Sequence, residues 1–277
     1  MQLRDFFREH PRAALGFSGG VDSSYLLYAA VRCGADVRPY FIKTAFQPQF
    51  ELDDALRLAA QLGVEVAVLP LDILSEPAVT ENPADRCYHC KARLFGALQK
   101  QALADGYSLL LDGTNASDDA GDRPGMRALR ELSVRSPLRE CGLTKAEIRR
   151  LSKEAGLFTW DKPAYACLAT RIPSGTAIDA ETLRRVEGAE NALGALGFAD
   201  FRVRVFHGAA RSAAAAGGRG TGEHSERRQA VFRYGFAGFG GEVTNNGSES
   251  NQRAFGAGGA GQPAGGRGAA AAQSRAV

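Results

Sequence analysis

The sequence predicts an α/β protein built on a doubly wound, mostly parallel sheet of five strands. From about residue 12 to 140, short apolar runs alternate with amphipathic stretches of helical length, which is typical of parallel sheets covered by helices on both faces. Several helical stretches end at a glycine, as α-helices commonly do. Polar, glycine-containing segments follow two of the predicted strands, at the edge where such sheets bind ligands. The predicted strands cover 13–17, 37–42, 64–69, 108–111 and 132–134, and helices between them cover 24–32, 51–61 and 92–104.

The next part of the chain is predicted to be smaller and less regular. Thr144 and Glu147 form a capping box at the start of a further helix. An irregular stretch over 158–177 leads to a helix over 180–196 and a strand over 201–206. These elements predict the start of a second, small α/β unit.

The composition changes abruptly after about residue 211. The remainder is nearly half glycine and alanine and contains no Leu, Ile, Lys or Asp. Such a segment buries too little apolar surface to offset the entropy of ordering, so we predict disorder over 212–277. The change follows directly on a regular strand, which suggests a frame-shifted terminus.

Composition and charge exclude several classes of protein. No run of about 18 apolar residues is present, so no membrane span is predicted, and the charged first 15 residues do not resemble a signal peptide. We therefore expect a cytoplasmic protein, in which cysteines are more often metal ligands or catalytic groups than disulfides. The net charge of +3 resides in the last segment, so the globular part is near neutral and nucleic-acid binding is not expected.

The segment SGGVDSS follows the first predicted strand and opens a helix. It has no lysine and so differs from a Walker loop, but its glycine N–H groups, its serine hydroxyls and the helix N-terminus suit an anion. Asp22 would repel a bare phosphate, so it fits either beside Mg²⁺ or as a helix cap. The segment resembles the PP-loop of adenine nucleotide alpha-hydrolase-like ATPases. That resemblance implies that ATP is cut between its α- and β-phosphates and that pyrophosphate is held by Ser18, Gly19, Gly20, Asp22, Ser23 and Ser24.

The segment DGTN follows the fourth predicted strand. In the same superfamily a similar segment lies near the nucleotide, which implies contacts from Asp112, Gly113 and Asn115. The alternative interpretation is an Asx turn that starts the next helix.

Three cysteines form a candidate sulfur site. Cys87 and Cys90 are spaced C-x-x-C at the start of a predicted helix, whose N-terminus favours thiolates. Cys167 lies in an irregular, proline-containing stretch between Lys162 and Arg171, cations that favour a thiolate and suit a phosphate. Three thiols suit an iron–sulfur cluster with one open iron better than they suit zinc.

A more specific resemblance comes from the order of the motifs. SGGVDSS, NPADRCYHCK, DGTN, RPGMRAL, VRSPL, LTKAEIRRLSKEAGL, WDKPAYACLATRIPSG and FRVRV follow one another as in the LarE family, over about residues 10–207. The resemblance implies an ATP-dependent sulfurtransferase that adenylates the carboxylates of a pyridinium-3,5-biscarboxylic acid mononucleotide and converts them to thiocarboxylates. It implies ATP, Mg²⁺ and a sulfide donor as further reactants.

The family contains two ways of donating sulfur. In one, the cysteine at the position of Cys167 gives up its own sulfur and becomes dehydroalanine; in the other, three cysteines hold a 4Fe-4S cluster. The presence of Cys87 and Cys90 beside Cys167 favours the cluster. The implied catalytic residues are Cys167 and Asp22, and the candidates for binding substrate phosphate or carboxylates are Arg171, Glu190, Arg202 and Arg204.

The resemblance also implies a domain organisation. Residues 1–168 would form the PP-loop ATP pyrophosphatase domain, 169–211 the start of a C-terminal sulfur-transfer domain, and 212–277 the low-complexity segment. Family members form homo-oligomers, but the segment after the last predicted strand departs from the family pattern where that domain would continue. Three other interpretations stay open at this point: a tRNA-thiolating PP-loop enzyme, an ammonia-using synthetase, and an inactive nucleotide-binding remnant.

Overall fold

The computed structural model describes residues 2–118 and 124–206, together with the backbone of 209–215, 229–235 and 241–244. Within these ranges a parallel sheet is followed by an antiparallel one. No helix of the described part is long and apolar enough to cross a membrane. The strands are β1 (Arg12–Gly16), β2 (Asp36–Lys43), β3 (Ala67–Pro70), β4 (Leu110–Leu111), β5 (Ala199–Phe206), β6 (Ala209–Ala215), β7 (Gln229–Gly235) and β8 (Gly241–Thr244).

Helices connect the parallel strands and continue beyond them. Two 3₁₀ turns, Phe158–Asp161 and Leu168–Arg171, lie in the stretch predicted to be irregular. The helices are α1 (Leu3–Glu9), α2 (Val21–Arg32), α3 (Gln49–Leu62), α4 (Pro77–Thr80), α5 (Arg86–Ala104), α6 (Pro124–Glu131), α7 (Pro137–Glu140), α8 (Lys145–Glu154) and α9 (Ala180–Ala195).

The parallel sheet has the strand order β3-β2-β1-β4. Ala13 and Leu15 of β1 belong to one apolar cluster, whereas Ala14 between them packs in another with Leu98 and Ala102 of α5. Because successive residues of a strand face opposite sides, both faces of the sheet are covered, as the doubly wound prediction requires. From β1 the chain adds β2 and β3 on one side and then returns to place β4 on the other side of β1. Folds of this kind bind ligands where the direction of strand addition changes, which is here the carboxyl ends of β1 and β4.

The predicted fifth strand over 132–134 is wrong. Ser133 adopts a positive φ of 54° in a turn, and the pairing moves on to Arg135, which forms a single parallel bridge with Leu111. The described parallel sheet therefore has four strands and one isolated bridge.

A second apolar core joins α9 and β5 to the end of the irregular stretch. Leu183 and Val186 of α9 pack with Leu168, Ile172 and Val203. This apolar core also includes residues well before position 168, such as Phe46. Packing therefore crosses the predicted boundary between the two domains, and that boundary stays a prediction.

Part of the segment predicted to be disordered pairs as strands. β6 runs antiparallel to β5, β7 to β6 and β8 to β7. From residue 212 on, these pairings differ from the disorder that the composition predicts, and disorder stays a prediction. The prediction for the rest of 212–277 lies outside the described residues.

Candidate active site

The SGGVDSS loop lies at the carboxyl end of β1, with Gly20 as the N-cap of α2. Ser23 ties the loop together: its hydroxyl accepts a hydrogen bond from the Ser18 amide at 3.3 Å and donates one to the Gly20 carbonyl at the same distance. Gly19 has a φ of +67°, and a Cβ there would lie 3.0 Å from the Ala55 backbone. Glycine at this position lets the loop lie against α3, and the N–H groups at the start of α2 suit an anion.

The DGTN segment at the end of β4 lies directly against this loop. A Cβ on Gly113 would be 2.9 Å from the backbone nitrogen of Ser23, so only glycine allows this approach. Asn115 reaches Asp22 with its Nδ2 at 3.4 Å from Oδ1, while its own Oδ1 accepts the Ser117 amide in an Asx turn. The nucleotide-contact and Asx-turn interpretations are thus compatible, because the turn aims Asn115 at the loop.

Asp112 has a supporting position in the same segment. It is 5% exposed and accepts hydrogen bonds from the Thr114 amide and from the Ser136 hydroxyl at 2.6 Å. The carboxylate therefore braces the segment from within. Its predicted contact with the nucleotide stays a prediction.

Asp22 faces a lysine rather than capping its helix. Lys145 Nζ lies 2.6 Å from Asp22 Oδ2, and no side chain caps α2, so the cap interpretation is wrong. Burial raises the pKa of Asp22, although the hydrogen bond and charge of Lys145 act in the opposite direction. A second cation beside this partly desolvated carboxylate would stabilise its charged form, and Mg²⁺ prefers oxygen ligands of this type.

Ser24 differs from the other loop residues. It is fully buried, and its hydroxyl has no hydrogen-bond partner among the described residues. It therefore lies under the loop, while the exposed Ser18 lies at its open side.

A cavity of about 140 Å³ adjoins the loop at the ends of β1 and β2. Ser18, Tyr40, Glu51 and Phe95 line it. Burial raises the pKa of Glu51 to about 7, against the opposing charges of Lys162, Lys43 and Arg171. Sequence reasoning missed Glu51, because the residue is an ordinary acid in the first turn of a helix.

The three candidate thiols lie near enough to one another for their charges to interact. Cys87 and Cys90 lie in the first turns of α5, and Cys90 and Cys167 both pack against the second core. Burial and then the neighbouring Cys167 and Cys87 raise the pKa of Cys90 to about 12. Burial also raises the pKa of Cys167, an effect that Arg86 opposes. The expectation that the helix end and the flanking cations favour thiolates is therefore wrong for these two groups.

A set of three thiols suits an iron–sulfur cluster, because iron binds thiolates. Each thiol raises the pKa of its neighbours, whereas a bound cationic centre would lower the pKa of all three. In the described residues, however, no three His, Cys, Asp or Glu side chains are arranged to hold a metal ion. The cluster stays a prediction.

Asn82 and Arg86 fasten the Cys167 stretch to the start of α5. Arg86 Nη1 donates to Asn82 Oδ1 at 2.5 Å and to the Ala169 carbonyl at 3.0 Å. Asn82 Nδ2 donates to the carbonyls of Pro173 and Thr176 at 2.8 and 3.0 Å. These four bonds, of which the two from Arg86 are buried, hold the two thiol-bearing segments in register.

Arg171 and Glu190 form a buried ion pair. Arg171 is 2% exposed, and its Nε lies 2.7 Å from Glu190 Oε1. The same carboxylate accepts hydrogen bonds from the Tyr165 hydroxyl and, at 2.9 Å, from the Val203 amide. The pair therefore joins the Cys167 stretch to α9 and β5. The predicted substrate contacts of these two residues stay predictions.

Arg202 and Arg204 lie on the same side of β5, since Val203 between them points into the core. Arg202 donates to the Ala164 carbonyl and lies over the Tyr165 ring at 5.2 Å. It lines a cavity of about 380 Å³ with Phe50 and Tyr165. Arg204 is exposed on the strand.

Two lysines reach the PP-loop from distant parts of the chain, and their roles there escaped sequence reasoning. Lys145 opens α8 and pairs with Asp22, as described above. Lys162 donates to the Gly19 carbonyl at 3.3 Å and pairs with Asp54 at 2.6 Å. The sequence gives little indication of these contacts, because each lysine lies more than 120 residues from the loop.

Comparison with known proteins gives the family. No family model matches the chain. It is 41% identical to an uncharacterised protein of Synechocystis sp., covering 76% of this chain and 78% of that protein. It is 34% identical to the pyridinium-3,5-bisthiocarboxylic acid mononucleotide synthase of Lactiplantibacillus plantarum, covering 72% and 73%. A more distant relative is the tRNA-specific 2-thiouridylase MnmA of Thermotoga maritima, at 26% identity over 53% of this chain and 52% of that enzyme. Together with the PP-loop and its setting in the sheet, these relatives assign the chain to the LarE family of PP-loop, ATP-dependent sulfurtransferases.

Proposed function

We propose that this chain uses ATP to adenylate the carboxylates of a pyridinium-3,5-biscarboxylic acid mononucleotide and replaces an oxygen of each with sulfur. One observation carries the proposal: the anion loop and the Cys167 stretch meet at the same edge of the sheet. Lys162, in the stretch before Cys167, contacts the loop at Gly19. The Leu168 amide, next to Cys167, donates to the Phe46 carbonyl just beyond β2 at 2.9 Å.

The first step is assigned to the PP-loop. The triphosphate binds to the N–H groups of Gly19, Gly20 and the first turn of α2, with Ser18 and Ser23 beside it. A substrate carboxylate oxygen attacks the α-phosphorus, the bond to the β-phosphate oxygen breaks, and pyrophosphate leaves. Asp22, with Asn115 beside it, would hold Mg²⁺, which neutralises phosphate charge when bound. The adjoining cavity of about 140 Å³ suits the adenine ring.

The second step is assigned to the thiols. A sulfur nucleophile attacks the carbonyl carbon of the acyl adenylate, and AMP leaves with the electron pair of the broken C–O bond. A 4Fe-4S cluster on Cys87, Cys90 and Cys167 would supply an extra sulfide at its open iron. Without a cluster, Cys167 itself forms the thioester, and β-elimination leaves dehydroalanine and the thiocarboxylate. If Cys167 is the nucleophile, Arg86 is the cation that opposes the rise of its pKa on burial.

Substrate binding is assigned to the second cavity. Its volume of about 380 Å³ and its rings, Phe50 and Tyr165, suit a flat pyridinium ring. Arg202 at its wall and Arg204 on the same face of β5 suit a phosphate or carboxylate. Arg171 and Glu190 support this wall from beneath.

The central experiment follows pyrophosphate and thiocarboxylate. Protein purified without oxygen is given Mg·ATP and the biscarboxylic acid mononucleotide, and both products are quantified by mass spectrometry. We expect pyrophosphate release that depends on the mononucleotide. Release without substrate dependence, or none with any acceptor, would contradict the proposal and favour the remnant interpretation.

The source of sulfur is tested on the cysteines. The cluster predicts iron, acid-labile sulfide and a brown colour that Cys167→Ala abolishes, whereas Cys33→Ala, an exposed thiol at the end of α2, keeps them. A colourless active protein that loses the mass of H₂S after one turnover would establish sacrifice of Cys167 and exclude the cluster.

The relation to MnmA favours tRNA thiolation as a second candidate. The near-neutral globular part argues against it, because affinity for phosphate backbones depends on basic charge. Retention of tRNA at moderate salt would support it, and flow-through would exclude it.

A further inference from the structure

Lys162 contacts the PP-loop although it lies far from the loop in sequence. Its Nζ is 2.6 Å from Asp54 Oδ2 and 3.3 Å from the Gly19 carbonyl oxygen. The ammonium also lies 5.5 Å from the centre of the Phe50 ring. Its side chain is only 14% exposed, so a long, flexible side chain is held at the base of an anion-binding loop.

The position of Asp54 needs an explanation. The loop lies so close to α3 that a Cβ on Gly19 would meet the backbone of Ala55, the next residue. Asp54 thus places a carboxylate beside the loop that is proposed to bind a triphosphate. Two anions at this separation repel each other in a partly desolvated site, unless a cation lies between them.

We propose that Lys162 is a phosphate-binding residue of this PP-loop, and that Asp54 holds it in place when no nucleotide is bound. The inference rests on the proposed use of ATP. A lysine ammonium has three N–H donors. The described contacts use two of them, for Asp54 and the Gly19 carbonyl, and leave one for a phosphate oxygen. Lys162 then supplies, from the segment that precedes Cys167, the lysine that the loop itself lacks.

This assignment has a consequence for the reaction. Because Lys162 and Cys167 share one segment, a phosphate bound by Lys162 would be held in a fixed relation to the sulfur-bearing stretch. The residue would therefore contribute both to nucleotide affinity and to the alignment of the two half-reactions.

The test is binding of Mg·pyrophosphate and Mg·ATP by the full chain, measured by calorimetry at several salt concentrations. A charge-assisted hydrogen bond to phosphate predicts that Lys162→Met weakens pyrophosphate binding by about 10- to 100-fold. We expect Lys162→Arg to recover part of the affinity. Lys153→Met, which removes an exposed lysine stacked on Trp160, is the matched control and should bind as wild type.

Asp54→Asn separates a binding role from a bracing role. If Lys162 binds phosphate, removing its competing carboxylate leaves pyrophosphate affinity unchanged or raises it. If the ion pair only braces the loop, Asp54→Asn and Lys162→Met weaken binding and lower the urea midpoint together, which would overturn the inference. Wild-type affinity in Lys162→Met would overturn it too. Failure of the wild type to bind Mg·ATP would instead contradict the proposed function itself.

Discussion

Replacing Glu51 by Gln should stabilise the protein, and by more as the pH rises from about 4.5 to 7. Glu51 lies in the first turn of α3 and lines the smaller cavity. Burial raises its pKa from 4.5 to about 7. The three cations that act against this shift already have partners: Lys162 pairs with Asp54, Arg171 with Glu190, and Lys43 donates to the Gln47 carbonyl at 2.6 Å. Removing the carboxylate therefore leaves none of them newly unpaired.

The size of the effect follows from proton linkage. The folded protein keeps the proton on Glu51 to a higher pH than the unfolded chain does, so this group lowers stability progressively as pH rises from about 4.5 to 7. A difference of about 2.5 pKa units corresponds to roughly 3 kcal/mol of unfolding free energy, reached in full above the folded-state pKa. The neutral amide of Gln pays no such charge-burial cost.

The assay is urea unfolding of wild type and Glu51→Gln between pH 5 and 8. The variant should exceed wild type by no more than about 1 kcal/mol at pH 5 and by about 3 kcal/mol at pH 8. Glu65→Gln, which removes an exposed carboxylate, should not reproduce this gain. A difference between wild type and Glu51→Gln that stays constant with pH, or a loss of stability at pH 8, would refute the argument.

Three further substitutions test other parts of the site and its scaffold. Gly113→Ala should cost about 1–3 kcal/mol in urea unfolding and weaken Mg·ATP binding, because the new methyl would press on the Ser23 backbone. Arg171→Met should cost about 3–5 kcal/mol, since it leaves Glu190 charged and buried without its partner. Thr144→Ala should cost about 1 kcal/mol in urea unfolding by removing the N-cap of α8, with no change in Mg·ATP affinity.

Surface substitutions provide the baseline for these values. Arg150→Gln breaks an exposed pair with Glu154 and should change stability by less than about 0.5 kcal/mol. An Arg171→Met variant as stable as Arg150→Gln would contradict the structural role assigned to the buried pair. Wild-type ATP affinity in Gly113→Ala would contradict the close approach of the two loops.

Elements marked by local signals could be predicted from the sequence. The alternation of apolar and amphipathic runs predicted β1, β2 and the helices between them, and Thr144 with Glu147 gave the start of α8. The strand over 132–134 could not be predicted, because pairing at this sheet edge depends on Leu111 and falls on Arg135 instead. The strand pairing of β6 likewise depends on β5 and leaves no signal in an alanine-rich segment.

Within the site, the loops were predictable but their partners were not. The glycines and serines of SGGVDSS carry a local pattern, and their place after β1 follows from it. Lys145 and Lys162 are distant from the loop in sequence, and only the folded chain brings them to it. From the sequence alone, Lys145 is a residue of a predicted helix and Lys162 is a neighbour of Cys167. Burial likewise emerges only in three dimensions, and it reversed the expected shift of the Cys90 pKa.

Asn82 determines how the thiol site can move. This fully buried residue adopts a φ of 57°, and its amide is bonded both to Arg86 and to the chain beyond Ile172. Shearing α5 away from the Cys167 stretch would break these bonds, and those of Arg86 to Asn82 and to the Ala169 carbonyl are fully buried. Any displacement of the Cys167 stretch is therefore expected to take the start of α5, with Cys87 and Cys90, along with it.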